Sequence, residues 1–133
     1  MPATEQWRGR LHTAQAMALL CWARLLVAFV PFDRWRGSLG SDGPARLADA
    51  QHEAKLVEWA ATRLPFTTRC LPRAMALSWM LNRQRLGHTV VIAVRAPDTR
   101  GSDDDLHAWV EVAGETIIGD LPGPWVETLR LGR

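Results

Sequence analysis

The chain of 133 residues is long enough for one domain, residues 1–133, with a modest core. Its hydrophobic fraction of 47% and charged fraction of 23% are ordinary for a soluble globular protein, and a net charge of +2 without blocks of like charge argues against a nucleic-acid partner. Two cysteines are too few for a disulfide framework, and they form no CxxC pair of the kind that holds zinc. The N-terminus is too polar for a cleavable signal peptide, so we expect a cytoplasmic protein whose thiols stay reduced.

The first predicted element is an apolar helix over about residues 14–32. Its sequence, AQAMALLCWARLLVAFVPF, is the most apolar of the chain and is about as long as a membrane span. Arg24 near its middle would be costly in a bilayer, so we expect a helix that is buried or faces a partner and ends at Pro31. Its length and apolar excess leave a helix on a membrane surface as the less favoured alternative.

Two further helices follow a loop over residues 33–44, which is rich in Gly, Ser, Asp and Pro. Ala45–Arg63 carries apolar residues at a spacing of three or four, with charged residues such as Glu53 between them. Cys70–Leu86 is apolar on more than one face, which predicts a helix enclosed on several sides and ended by Gly87. With the strands that follow, these helices form a predicted catalytic core over about residues 45–125.

The second half of the chain carries strand patterns. The segments are Thr89–Val94, Leu106–Val112, Glu115–Ile118 and Trp125–Leu131. The first is a β-branched run suited to a central strand, and the last is compatible with an edge strand. Helices followed by antiparallel strands predict an α+β fold in which the N-terminal helices pack on a small antiparallel sheet. The helix that begins at Cys70 joins the two halves.

Three residues could form a catalytic triad with a thiol nucleophile. Cys70 starts the third helix, His107 lies on the second strand, and Asp120 follows the third strand. The thiolate attacks, the imidazole shuttles the proton and the carboxylate orients the imidazole. At a helix N-terminus, unpaired N–H groups and the helix dipole favour a thiolate and can hold an oxyanion. The sequence therefore predicts covalent cysteine catalysis. Candidates for a second oxyanion donor are Thr67, Thr68 and Trp59.

A tight turn at Ala113-Gly114 predicts the register of the hairpin. The predicted pairs are Val112–Glu115, Glu111–Thr116, Trp109–Ile118 and His107–Asp120. Directly opposed residues have Cβ atoms about 4.5–5.5 Å apart, which brings an imidazole within reach of a carboxylate. The catalytic interpretation therefore requires this register, which the structure can test.

Other cysteine, histidine and acidic residues fit structural roles. Cys21, within the Leu-rich helix, is interpreted as a small buried apolar residue. His88 follows Gly87 and is placed at a turn. The acids Asp103 to Asp105 next to His107 resemble a ligand cluster, but three successive acids are more typical of a solvated loop, so we predict neither a metal site nor a cofactor.

The stretches RCLPRAMALSWMLNRQRLGHTVVIAV and LHAWVEV, followed by GD, resemble the B2 protein of lasso peptide biosynthesis. Members of that family are leader peptidases of the transglutaminase-like cysteine protease superfamily. The resemblance covers about residues 60–120 and implies a transglutaminase- or papain-like core. It identifies Cys70 as the nucleophile, His107 as the general base and acid, and Asp120 as the orienting carboxylate.

The resemblance also implies partners. A B2 enzyme removes the leader of a ribosomally made precursor peptide, a discrete B1 protein recognises that leader, and an ATP-dependent cyclase closes the lasso ring. Two alternatives remain open: an acyl- or amide-transferring enzyme with the same Cys-His-Asp triad, and a non-catalytic binding subunit that docks through the apolar helix.

Overall fold

The computed structural model describes residues 3–66, 69–95, 106–119 and 125–132. Within these ranges the chain forms four α-helices and a four-stranded antiparallel sheet, which confirms the predicted α+β fold. The helices are α1 (Ala3–Phe29), α2 (Phe32–Trp35), α3 (Leu47–Arg63) and α4 (Cys70–Arg83), with a 3₁₀ turn over Arg36–Ser38. The strands are β1 (Thr89–Arg95), β2 (Leu106–Val112), β3 (Glu115–Ile118) and β4 (Trp125–Gly132), in the sheet order β3-β2-β1-β4.

Helix α4 lies at the centre of the fold. Its buried residues run from Pro72 to Leu81 and cover more than one face, while α1, α3 and β2 pack around it. The predicted enclosure of this helix on several sides is confirmed. Pro72 lies in the first turn, where the backbone N–H has no intrahelical acceptor, so the proline costs no hydrogen bond.

The end of α4 differs from the prediction. The helix ends at Arg83 rather than at Leu86, because Arg85 takes a left-handed conformation with φ of 58°. The N–H of Leu86 bonds the carbonyl of Leu81, and the N–H of Arg85 bonds that of Asn82, which together form a Schellman motif. Gly87 instead permits a close backbone approach, since a Cβ there would collide with the Gly43 carbonyl.

Helix α1 is longer than predicted at its N-terminal end and stops before Val30-Pro31, in keeping with the bias of a pre-proline residue away from helix. It has two different faces. Ala16, Leu20 and Ala23 are fully buried in the core, whereas other apolar residues of the same helix are exposed. The stretch Leu11–Phe29 is long and apolar enough to cross a membrane, with 17% of it buried inside the fold. The predicted burial is therefore confirmed for one face of the helix, and a partner on the other face stays a prediction.

Helix α3 buries the carboxylate of Glu53, although the apolar spacing of the sequence predicted a polar position there. Glu53 is 3% exposed and accepts a hydrogen bond from the Gln84 side chain at the end of α4. Its Oε2 atom lies 2.9 Å from Nε2 of His12 on α1, at angles unsuited to a hydrogen bond. Glu53 thus links three helices, a role that depends on neighbours remote in sequence.

A buried network ties α4 to the start of β1. Ser78 Oγ lies 2.6 Å from His88 Nε2 and accepts a hydrogen bond from the Gly40 N–H, while His88 Nδ1 lies 2.9 Å from the Leu86 carbonyl oxygen. A carbonyl only accepts, so Nδ1 donates to it and Nε2 accepts from the Ser78 hydroxyl. His88 is 4% exposed and Ser78 is fully buried. Because both are shielded from solvent, we assign this serine–histidine pair to folding rather than to catalysis.

We expect this network to make stability depend on pH. Burial lowers the pKa of His88 below its ordinary value of 6.5, although its bond to Leu86 opposes the shift. The neutral ring is favoured in the folded state, so its stabilisation is complete above pH 6.5 and is lost as the pH falls from there through the lowered pKa. The melting temperature should therefore drop by a few degrees on acidification.

Thermal melts of the wild type and of His88→Gln between pH 8 and 5 measure this effect. Glutamine retains an acceptor for Ser78 but does not titrate, so the melting temperature of the variant should change less across this range. Parallel curves for the two proteins would contradict the assignment.

Candidate active site

Cys70 is the first residue of α4. Arg69 before it has extended backbone angles, and its side chain makes no capping hydrogen bond. The unpaired N–H groups and the positive end of the dipole at a helix start favour a thiolate at such a position. Cys70 is half-buried, as is Cys21 on α1, and the two are not joined in a disulfide. Arg73, one turn along, forms an ion pair with Glu58 at 3.0 Å, which offsets its charge.

The topology predicts where His107 lies relative to the start of α4. Only residues 84–88 separate α4 from β1, so we expect β1 to run back along the helix and to end near the level of its start. His107, near the start of β2, pairs with Ala93 near the far end of β1. The helix that carries Cys70 also packs directly on β2. We therefore expect the sulfur-bearing and imidazole-bearing elements at one end of the fold, and this placement stays a prediction.

The imidazole of His107 is held by a backbone carbonyl and an aromatic ring. Its Nε2 atom donates a hydrogen bond to the carbonyl oxygen of Gly119, and its ring stacks on Trp125, with ring centroids 5.0 Å apart and planes at 25°. The Arg95 guanidinium lies 4.7 Å from the centroid of Trp125. His107 is only 7% exposed. These contacts fix the orientation of the ring.

The contact to Gly119 determines the tautomer of the imidazole. A carbonyl oxygen accepts only, so the neutral ring carries its proton on Nε2 and its lone pair on Nδ1. In this arrangement Nδ1 is the atom that can take a proton from a thiol. Gly119 has φ of 82°, and a Cβ there would lie 2.6 Å from the Ala108 carbonyl oxygen, so this position requires glycine.

The register of the hairpin is correct near the turn and wrong beyond it. Ala113 and Gly114 both have positive φ, as in a tight type I′ turn, and the pairs Val112–Glu115 and Glu111–Thr116 form as predicted. The register then shifts, and Ile118 lies opposite Val110 instead of Trp109. A β-bulge gives β3 one extra residue at this point.

Because of the bulge, the described group that contacts the imidazole differs from the predicted one. The Gly119 carbonyl contacts His107 Nε2, where the unshifted register predicted the Asp120 carboxylate. Asp120 itself lies outside the described residues, as do Thr67 and Thr68, so the proposed role of the carboxylate stays a prediction. Trp59, the third proposed oxyanion donor, is 52% exposed on α3, with the Arg63 guanidinium 4.1 Å from its ring centroid.

The two faces of β2 have different surroundings. Ala108, Val110 and Val112 are buried in the core beneath the helices, as predicted for that face. His107 and Trp109 alternate with them and lie on the other face, with ring centroids 5.9 Å apart. A contact between the Cys70 thiol and the imidazole would therefore form around the end of β2 rather than across its face. That contact stays a prediction.

The sequence model of the transglutaminase-like superfamily matches residues 16–128. The match spans most of the chain and includes both Cys70 and His107. No curated protein and no solved structure matches the chain. The superfamily includes cysteine peptidases and acyltransferases, in keeping with a thiol at a helix start and a histidine on the adjacent sheet. The chain belongs to the transglutaminase-like superfamily.

Proposed function

We propose that this protein is a cysteine peptidase that removes the leader from a ribosomally made lasso precursor peptide. The observation that carries the proposal is the position of Cys70 at the first residue of α4, a helix that packs on β2, the strand of His107. The His107 contact to Gly119 leaves the lone pair on Nδ1 for a thiol proton. The sequence elements around both residues resemble the lasso B2 family, which adds the substrate class. A reducing cytoplasm suits a reactive thiol.

The proposed reaction has two steps. The Cys70 thiolate attacks the carbonyl carbon of the last leader residue, and the C–N bond breaks as protonated His107 gives its proton to the departing amine of the core peptide. Water then attacks the thioester while the imidazole takes one of its protons. The C–S bond breaks, releasing a leader with a free carboxylate and restoring the thiol and the imidazole. Backbone N–H groups at the start of α4 would stabilise the oxyanion in both steps.

The proposed partners follow from the substrate. A separate B1 protein would bind the leader and deliver the precursor, and an ATP-dependent cyclase would use the freed amine to close the ring. Asp120 would orient His107 by accepting a hydrogen bond from Nε2–H, the group that the Gly119 carbonyl contacts in the structure.

Transfer of the acyl group to an amine is the alternative reaction, since the superfamily contains acyltransferases. The same thioester would form, and only its acceptor would differ.

Mass spectrometry of a candidate precursor incubated with the protein and its leader-binding partner in heavy-oxygen water separates these reactions. We expect a shortened core peptide and a leader whose new carboxylate carries one heavy oxygen atom. An amine-linked leader product would show transfer and overturn hydrolysis. An intact precursor, with a partner shown to bind the leader, would contradict both reactions and favour a non-catalytic binding subunit.

A further inference from the structure

Helix α1 carries an uncovered apolar stripe on the side opposite its buried face. The stripe consists of Leu11, Ala18, Trp22, Leu25 and Phe29, whose spacings of seven, four, three and four residues place them on one side of the helix. These positions extend over about 27 Å of helix. All five are exposed, and the four larger side chains are between 50% and 80% exposed. We call this surface the outer stripe.

The outer stripe is not explained by packing within the chain. Ala16, Leu20 and Ala23, on the other side of α1, already fill the contact with the core. Contiguous apolar patches on a soluble monomer usually mark a contact with a partner or a membrane. Trp22 and Phe29 contribute the largest side chains of the stripe, with 54% and 80% exposure.

The charges of α1 identify the kind of surface that would cover the stripe. Helix α1 contains three arginines, Arg8, Arg10 and Arg24, and one acidic residue, Glu5. A symmetric pair of stripes would bring together two helices that each carry this excess of arginine. An anionic surface instead attracts a helix with an excess of arginine.

The apolar side chains of the stripe favour lipid as the source of the negative charge. Tryptophan concentrates at the membrane–water interface, and a helix with Trp, Phe and Leu on one side and arginine elsewhere is typical of interfacial binding. The Arg24 guanidinium lies off the stripe, 4.1 Å from the ring centroid of Phe66.

We propose that the outer stripe binds the surface of an anionic lipid bilayer, with α1 lying on the membrane rather than crossing it. A crossing helix would have to withdraw Ala16, Leu20 and Ala23 from the core, whereas a helix lying on the surface keeps the fold intact. The proposal does not depend on the chemistry of Cys70.

Vesicle co-sedimentation of the full chain tests this proposal. We expect binding to phosphatidylcholine vesicles with about one third phosphatidylglycerol, at least about tenfold tighter than to pure phosphatidylcholine and weakened by salt. The variant Trp22→Gln/Leu25→Gln/Phe29→Gln should lose this binding by at least about tenfold, since glutamine keeps helix propensity and removes apolar area. Circular dichroism verifies that the variant is folded.

The control is Val126→Gln, which removes an apolar side chain that is 48% exposed on β4. It should bind anionic vesicles like the wild type. Equal binding by the triple variant, or no preference for anionic vesicles, would overturn the proposal. Light scattering in the absence of lipid provides a further test: a dimer that the triple variant dissociates would show that a second copy covers the stripe.

Discussion

Cys70→Ala is expected to abolish leader cleavage while leaving the protein folded. The thiol is the only group of the proposed mechanism that bonds covalently to the substrate, so its loss should lower the initial rate by at least about a thousandfold. Cys70 is half-buried at the first residue of α4, and alanine suits a helix terminus, so the melting temperature should change little. Timed product analysis by mass spectrometry measures the rate.

Cys21→Ala provides a matched control, because Cys21 is also half-buried but lies within α1. It should retain normal cleavage. Undiminished cleavage by Cys70→Ala would contradict the proposed nucleophile, and loss of activity in Cys21→Ala alone would move the thiol chemistry to α1.

His107→Gln should give the second large effect. Without an imidazole, no group accepts the thiol proton or protonates the leaving amine, and general acid–base catalysis contributes about 10²–10⁴-fold to a rate. Glutamine can still donate to the Gly119 carbonyl, the present partner of Nε2. We therefore expect a loss of at least about a hundredfold in cleavage, with the hairpin intact.

Alkylation of Cys70 by iodoacetamide gives a second readout, which would not change in His107→Gln if His107 had only a structural role. The pH profile of alkylation should move to higher pH in His107→Gln, since the imidazolium no longer stabilises the thiolate. Peptide mapping distinguishes Cys70 from Cys21. His52→Gln, on the exposed face of α3, is the control and should leave both readouts unchanged. An unaltered alkylation profile in His107→Gln would show that the imidazole does not interact with the thiol.

The role of His107 also depends on the residues around its ring. Trp125 comes from the far end of the chain and reaches the imidazole because β4 pairs with β1, next to β2. No local pattern around His107 indicates this contact.

The sequence alone determined the parts of this protein that depend on local patterns. Apolar periodicity and proline positions predicted α3 and the start of α4 at Cys70, and alternation predicted the bounds of β2 and β3. The residues around Cys70 and His107 also predicted the transglutaminase-like superfamily, which the match over residues 16–128 confirms.

Only the tertiary structure decided the features that depend on distant neighbours. The bulge beyond Glu111 brought the Gly119 carbonyl to His107, and the packing of three helices buried Glu53. The meeting of α4 with β1 enclosed His88, and the core took one face of α1 while leaving the outer stripe exposed. Periodicity reports which side chains are apolar but not how many faces of a helix find a partner, because burial is set by elements far apart in the chain.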